Sequence, residues 1–191
     1  MSGVRIPHRA QIPLRVLFDT AFPCAYRRGT YMPPTFHTSF GLELSLPQVV
    51  REIVRFITAD PTRRYKVTIG TDSEQSQSRM ADFVTAIVVH RVGNGGRYFW
   101  RRTKLGKFHT LRDRIIKEVL ISLEAAESLL TLLRTEAKHL DWSFEVHADV
   151  GENGETKVLI QEVVGMIRAN NYEARTKPDS YAASKVADRH V

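Results

Sequence analysis

The spacing of apolar and polar positions changes along residues 40–105, and each spacing predicts an element. Apolar residues three and four apart follow Ser45, a typical N-cap, and predict an amphipathic helix. Strict alternation then predicts a strand that leads into Thr71-Asp72-Ser73. Two more strands flank Gly93-Asn94-Gly95-Gly96, which favours a hairpin turn because asparagine and glycine adopt positive φ at low cost. The predicted strands cover residues 65–70, 83–90 and 97–105.

Helices and strands alternate in the second half of the chain. A long apolar stripe predicts a helix over residues 111–139, and a strand is predicted at residues 144–149. A helix over residues 156–169 precedes a fifth strand at residues 172–176, and a last helix follows over residues 180–188. A meander followed by alternating elements predicts an α/β fold with a five-stranded mixed sheet and helices on its faces.

The first 39 residues differ in composition from the rest of the chain. They hold five arginines, one acidic residue and five prolines, and proline at this density disfavours both helices and sheet ladders. We therefore predict a basic, proline-rich N-terminal arm over residues 1–39 and one domain over residues 40–191. The arm could follow a phosphate backbone, or it could lie on its own domain or on a sister subunit.

Composition narrows the possible partners. With a net charge of +7 and a pI of about 9.8, the 191-residue chain favours polyanionic partners, chiefly RNA or DNA. No apolar run approaches the roughly 20 residues that cross a bilayer, so no membrane association is expected, and no secretory signal is recognisable. Cys24 is the single cysteine, which excludes an internal disulfide and fits a cytoplasmic protein.

Two aspartates occupy matching positions at predicted strand ends. Asp72 ends the first strand and Asp149 ends the fourth. If these strands are parallel neighbours, both carboxylates meet at the edge of the sheet where α/β proteins bind ligands. Two close carboxylates repel unless a cation or a proton intervenes, and oxygen ligands without histidine suit Mg²⁺ or Mn²⁺. The alternative is that each aspartate caps a following turn.

The long helix offers a third carboxylate. Glu118 lies about 120° from the centre of the apolar stripe, at 100° per residue, so it could reach over the end of the sheet. Glu124, Glu127 and Glu136 are competitors on the same helix, and an ordinary solvated glutamate is the alternative for Glu118.

A basic and aromatic strip follows the third strand. Such a mixture can hold phosphates and stack bases, although alternation alone could turn the aromatics inward and the arginines outward. The candidate nucleic-acid contacts are Arg97, Trp100, Arg101, Arg102, Lys104 and Lys107.

Several stretches of the chain resemble the YkuK-type family, a group of uncharacterised bacterial proteins within the ribonuclease H-like superfamily. The matching stretches cover most of residues 40–191 and leave out the arm. They are Ile69-Gly70-Thr71-Asp72-Ser73, Phe83 to Arg91, Gly96-Arg97-Tyr98-Phe99-Trp100, His147-Ala148-Asp149-Val150-Gly151, and Lys177 to Ala183 with Val186-Ala187-Asp188-Arg189.

The resemblance implies a ribonuclease H-like fold and a site in which four acids hold two divalent cations. By position these acids are Asp72, Glu118, Asp149 and Asp188, and Asp179 is the rival of Asp188 as the fourth ligand. The implied activity is metal-dependent hydrolysis of a phosphodiester in RNA or DNA. The alternative is a non-catalytic nucleic-acid or ribosome-associated binding protein that keeps the fold. The sequence leaves open the oligomeric state and which metal or nucleic acid is used.

Overall fold

A computed structural model describes residues 35–77 and 80–191, so the predicted arm up to residue 34, with Cys24, lies outside the described residues. Seven strands form one mixed sheet in the order β2-β1-β5-β4-β3-β6-β7. The strands are β1 (Thr35–Thr38), β2 (Glu43–Ser45), β3 (Tyr65–Gln75), β4 (Ala81–Arg91), β5 (Gly96–Leu105), β6 (Trp142–Ala148) and β7 (Glu173–Arg175). The α-helices are α1 (Leu46–Thr58), α2 (Leu111–Glu136) and α3 (Ile160–Ala169).

The sheet differs from the predicted one in its number of strands. Its central part is as expected, since β3, β4 and β5 form an antiparallel meander and β6 pairs in parallel with β3 and β7. The hairpin of β1 and β2 adds two strands on the free edge of β5. These strands are four and three residues long, too short for a period to appear in the sequence. Residues 35–38 lie in the segment assigned to the arm, and Phe36 is buried in the core.

Three helices cover one face of the sheet and the C-terminal residues cover the other. Alternation along β3 sends Val67 and Ile69 into the core that α1, α2 and α3 share with the sheet. Gly70 and Asp72 point to the opposite face, which we call the site face. A π-helix (Ala182–Ala187) and a 3₁₀ turn (Asp188–His190) pack there in place of the predicted regular helix, and we call them together the C-terminal segment.

Two predicted helices begin or end elsewhere. The turn before α3 is a 3₁₀ helix (Glu155–Leu159), so the α-helix begins four residues after the predicted start at residue 156. Helix α2 ends at Glu136, before the predicted end at His139. Within the described residues no helix has the length and apolar character that crossing a membrane requires.

A buried histidine attaches the C-terminal segment to β6. The Nδ1 atom of His147 accepts a hydrogen bond from the backbone N–H of Ala182 at 3.1 Å, and its Nε2 atom lies 3.3 Å from the Glu145 carboxylate. Lys66 and Arg175 also donate to Glu145, at 2.8 and 3.2 Å. Burial lowers the pKa of His147, so the neutral ring can accept the hydrogen bond from Ala182. This network fixes the start of the segment that carries Asp188.

Gly70 lets the C-terminal segment lie directly on β3, and its replacement tests that contact. A Cβ atom at position 70 would lie 2.7 Å from the backbone nitrogen of Ala183 and 2.9 Å from its Cβ. Gly70→Ala should therefore lower the free energy of unfolding by roughly 1–3 kcal/mol, as overpacking does. The control is Gly165→Ala in α3, where a Cβ meets nothing within 4 Å and should stabilise the helix by about 0.5–1 kcal/mol. Urea denaturation of both variants measures the difference, and an unchanged Gly70→Ala midpoint would contradict the close contact.

Candidate metal and nucleic-acid site

The parallel pairing of β3 and β6 brings the two strand aspartates to one edge of the sheet. Thr71 pairs with Ala148, so Asp72 and Asp149 are the next residues on two adjacent strands, whose axes are about 4.8 Å apart. Asp72 does not end its strand as predicted, because β3 continues antiparallel to β4 as far as Gln75. It lies where the parallel partner strand stops, so its carboxylate faces the open edge beyond β6.

Glu118 reaches this edge from the other face of the sheet. It lies in the second turn of α2, is 6% exposed, and its Oε1 atom accepts a hydrogen bond from the Ser73 hydroxyl at 2.5 Å. Burial raises the pKa of Glu118 to about 8, and the charges of Asp72 and Asp149 act in the same direction. The Ser73 hydrogen bond and the positive charge of Arg114 oppose the rise. A metal-free protein near neutral pH therefore holds a proton on this carboxyl group.

Helix α2 is rotated relative to the stripe predicted from its large aliphatic residues. Glu118, Ser122 and Ala125 are buried, whereas Leu120 is 46% exposed. Ile115, Val119 and Leu133 of the predicted stripe are buried as well. Small and polar residues share this buried side, and Ser122 donates to the Thr71 hydroxyl at 2.8 Å. Hydrophobic periodicity gives such residues little weight, so the prediction placed Glu118 at the stripe edge. The competitors Glu124, Glu127 and Glu136 are exposed.

Asp72 is half-buried, and the charges of the other acids affect its pKa. Burial raises the pKa of Asp72 to about 6, and the negative charges of Asp149 and Asp188 raise it further. A hydrogen bond from the backbone N–H of Ser73, 2.9 Å from Oδ1, and the charge of Arg114 oppose this rise. Asp72 and Glu118 thus hold protons more tightly than ordinary carboxyl groups do, because both are removed from water and negative charge is concentrated at this edge.

The two carboxylate oxygens of Asp149 differ in their surroundings: one forms an ion pair, and the other is buried without a hydrogen-bond partner. Its Oδ2 atom lies 2.9 Å from the Lys177 ammonium, which forms an ion pair in the mouth of the site. Its Oδ1 atom is buried and has no hydrogen-bond partner. A buried carboxylate oxygen without a donor is costly, and a cation at the edge of the sheet would satisfy it.

The two candidates for a fourth acid occupy different surroundings. Asp188 is exposed on the C-terminal segment, and its charge acts on Asp72. Asp179 is also exposed, and its charge acts on Arg175. Asp179 is the last residue of a turn, which its backbone N–H closes by donating to the Thr176 carbonyl oxygen at 2.8 Å.

The acids fit a hard divalent cation by chemistry, although their present positions are not those of a complete set of ligands. In residues 35–77 and 80–191, no three histidine, cysteine, aspartate or glutamate side chains are grouped closely enough to hold a metal ion. Lys177 occupies one oxygen of Asp149, and Ser73 occupies one oxygen of Glu118. The orphaned Oδ1 of Asp149 and the raised pKa values of Asp72 and Glu118 are the features that a cation would relieve.

The basic and aromatic strip divides between the two faces of the sheet. Arg97 pairs with Glu52 of α1 at 3.1 Å, and Arg101 lies over the Phe36 ring, so both are on the face of the helices. Trp100 is on the site face, where it stacks on His190 with ring centroids 4.3 Å apart.

The other basic residues of the strip lie on the site face or beyond the strand. Arg102 and Lys104 lie on the site face and pair with Asp82 at 3.5 and 3.9 Å. Arg102 pairs with Val84 in the sheet, and Val84 pairs with Asp72, so this arginine is two strands away from the acids. Lys107 is exposed after the strand.

Four residues at the site were not among the predicted ones. Lys177 and Ser73 contact the acids, Arg114 donates to the backbone oxygen and the hydroxyl of Ser73, and Ser122 continues the hydroxyl contacts toward the sheet. For the α2 residues a signal exists in the sequence, because Arg114, Glu118 and Ser122 are spaced four apart and share one helix face. Lys177 has no such signal, since only the fold brings its loop next to Asp149.

Comparisons with known proteins agree with this architecture. A sequence model of the family described as Ribonuclease H-like matches residues 48–191. The chain is also similar to the Uncharacterized protein YkuK of Bacillus subtilis (strain 168), with 34% identity over 164 residues, which cover 81% of this chain and 95% of the relative. No solved structure gives a significant match. The family match spans Asp72, Glu118, Asp149, Asp179 and Asp188.

Proposed function

Since the chain belongs to the ribonuclease H-like family and is a YkuK-type member of it, we propose that it is a divalent-metal-dependent nuclease acting on RNA or DNA. One observation carries the proposal: Asp72 and Asp149 follow paired positions of adjacent parallel strands, and the charges of both act on the buried Glu118. A structural protein gains nothing from such a concentration of like charge, because each carboxylate raises the cost of ionising its neighbours.

The ligands for Mg²⁺ or Mn²⁺ would be Asp72, Glu118, Asp149 and Asp188, with Asp179 as the alternative to Asp188. Bound cations would supply activation of water and stabilisation of the leaving oxygen. Before they bind, Glu118 holds a proton, and Ser73 and Arg114 keep its carboxyl group at the edge of the sheet. Loading the site requires that this proton leaves.

The site face offers positive charge for the substrate. Arg102 and Lys104 lie on the same side of the sheet as Asp72, and both share the single carboxylate of Asp82. Their exposed ammonium and guanidinium groups would contact phosphates on either side of the bond that is cut. Arg97 and Arg101 face α1 and the Phe36 ring, and they would act only on a nucleic acid that wraps around the edge of the sheet.

A second candidate function is nucleic-acid binding without cleavage. The observation that favours it is the Lys177–Asp149 ion pair, because a built-in cation can neutralise the acid without a metal. If this function holds, the acids have no catalytic role, and the basic groups of the site face bind the nucleic acid.

Melting curves and a cleavage assay separate the two functions. We expect Mg²⁺ or Mn²⁺ to raise the Tm of the wild type, because a ligand that binds the native state stabilises it by mass action. The same metals should support cutting of at least one substrate among single-stranded, duplex, hybrid and branched nucleic acids. A wild type that neither shifts with metal nor cuts any of them would contradict the nuclease and leave the binding protein.

A further inference from the structure

Lys177 is held in the mouth of the site by its backbone as well as by its charge. It lies in the loop after β7, and its backbone N–H donates to the Val150 carbonyl oxygen at 2.8 Å. Gly151 lies so close that a Cβ atom there would be 2.9 Å from the Cβ of Lys177. The absence of a side chain at Gly151 therefore leaves room for the Lys177 side chain, whose ammonium group contacts Asp149.

The Lys177 ammonium group contacts Asp149 on one side and is open to solvent on the other. One contact joins Nζ to Oδ2 of Asp149, while the Lys177 side chain is 50% exposed. A cleft of about 530 Å³ opens beside it, lined among others by Asn153, Thr176 and Pro178. Glu152 also lines this cleft, but its exposed carboxylate would gain little from pairing with a lysine. An ammonium carries three donors, so the group can serve a second anion.

We propose that Lys177 is a substrate-phosphate ligand whose ammonium is held by Asp149 until a divalent cation takes that carboxylate. This inference rests on the proposed function. A cation on Asp149 repels the ammonium group, and the flexible four-carbon stem lets the charge move into the adjacent cleft. A backbone phosphate bound across the acids is the anion that it meets there. Lysine binds phosphate as a point charge, so no fixed fork geometry is required.

The proposal gives the lysine a contribution to nucleic-acid binding that exists only when the metal is present. Each phosphate contact on a single strand contributes about 0.7 to the slope of log K against log salt. Without metal the ammonium is committed to Asp149 and adds nothing to this slope. With metal the full contact appears. A lysine that is simply part of a basic surface would contribute equally in both conditions.

Salt titrations with and without a cation test this contrast. Fluorescence anisotropy would follow labelled single-stranded RNA and its DNA counterpart at several salt concentrations, in EDTA and in Ca²⁺, with gels to verify that the strands stay intact. Lys177→Met should lower the slope by about 0.7 in Ca²⁺ and leave it unchanged in EDTA. Lys138→Met is the control, because Lys138 is exposed after α2 at the opposite end of the sheet. Lys177→Arg keeps the charge and should follow the wild type.

Calorimetric titration with Mn²⁺ provides a second readout that needs no nucleic acid. Removing the competing charge should let Lys177→Met bind Mn²⁺ about tenfold more tightly than the wild type, on the order of one close charge interaction. The role of Lys177 would be overturned if Lys177→Met changed the salt slope equally in Ca²⁺ and in EDTA, or if it bound Mn²⁺ as tightly as the wild type does. Either result would leave the nuclease proposal intact. A wild type that binds no divalent cation would overturn both. Lys177→Gln, which also removes the charge, gives the same decision if Lys177→Met does not fold.

Discussion

Asp72→Asn should abolish cleavage and at the same time stabilise the metal-free protein. The asparagine removes one charge and one metal ligand from the centre of the acids, so we expect kcat/KM to fall at least about a thousandfold, equivalent to about 4 kcal/mol. The backbone hydrogen bond from Ser73 can persist, because an amide oxygen also accepts it. Removing a charge that is costly to bury, and that Asp149 and Asp188 repel, should raise the free energy of unfolding by about 1–2 kcal/mol without metal.

Opposite signs of the two effects distinguish a metal site from an ordinary polar contact. The control is Asp141→Asn, an exposed aspartate immediately before β6 at the other end of the sheet, which should change neither cleavage nor stability. Urea denaturation in EDTA and steady-state cleavage in Mn²⁺ measure the pair of effects. Cleavage by Asp72→Asn within tenfold of the wild type, or lower stability in EDTA, would contradict the role assigned to Asp72.

Glu118 and Asp72 should contribute stability to the metal-free protein that is lost as the pH rises from about 4 to about 8. Glu118 and Asp72 have pKa values raised to about 8 and about 6 in the folded protein, so the native state binds protons that the unfolded chain has released. The stabilisation is complete below the unfolded pKa values and is lost as the pH passes the folded ones. Since one pKa unit is about 1.4 kcal/mol, the shift of Glu118 sets an upper limit of about 5 kcal/mol on its share.

Glu118→Gln isolates this contribution. The amide cannot ionise, so the variant should lose most of the stability change between pH 4 and pH 8 and should exceed the wild type in stability at pH 8 without metal. Glu124→Gln, on the exposed side of the same helix, is the matched control and should keep the wild-type profile. Urea denaturation at a series of pH values measures both. A Glu118→Gln profile parallel to that of the wild type would show that Glu118 is ionised in the folded protein.

Metal binding should have the reverse pH dependence. Ligand carboxylates must lose their protons before they bind a cation, so the affinity for Mn²⁺ should increase with pH up to about 8 and each binding event should release protons. The ionisation enthalpy of the buffer then appears in the calorimetric signal. The same proton that stabilises the empty protein thus competes with the metal.

The sequence was informative where a regular period met a regular element. Alternation before Asp72 and before Asp149 predicted β3 and β6. Their parallel pairing was only a condition of the predicted site, and the structure shows it, with α2 as the crossover from β5 to β6. The hairpin of β1 and β2 was missed because its strands have only four and three residues and the first of them directly follows Pro33-Pro34, in the stretch assigned to the arm. The orientation of α2 was predicted only in part: Ile115, Val119 and Leu133 of the stripe are buried as expected, whereas Leu120 is exposed and the small residues Ser122 and Ala125 are buried in addition.

The partners of the acids were beyond the reach of the sequence. Ser73 and Arg114 act through contacts that depend on the angle between α2 and β3, and Lys177 depends on a loop 28 positions after Asp149 returning to it. Residue spacing carries no information about such contacts when no regular element joins the two positions. The charges of the acids were visible in the sequence, whereas the groups that balance those charges required the fold.

The close contact at Gly70 implies a constraint on sequence divergence. The nearest obstacle to a side chain there is the backbone nitrogen of Ala183, 2.7 Å from the Cβ position, and no substitution at position 183 removes a backbone atom. Compensating mutation at the partner is therefore ineffective, and position 70 should remain glycine in every homologue whose C-terminal segment follows this path. Homologues with a larger residue at this position should carry their fourth acid on a differently placed segment. The residue type at position 70 in an alignment of homologues should therefore indicate whether the fourth acid lies on a C-terminal segment placed as it is here.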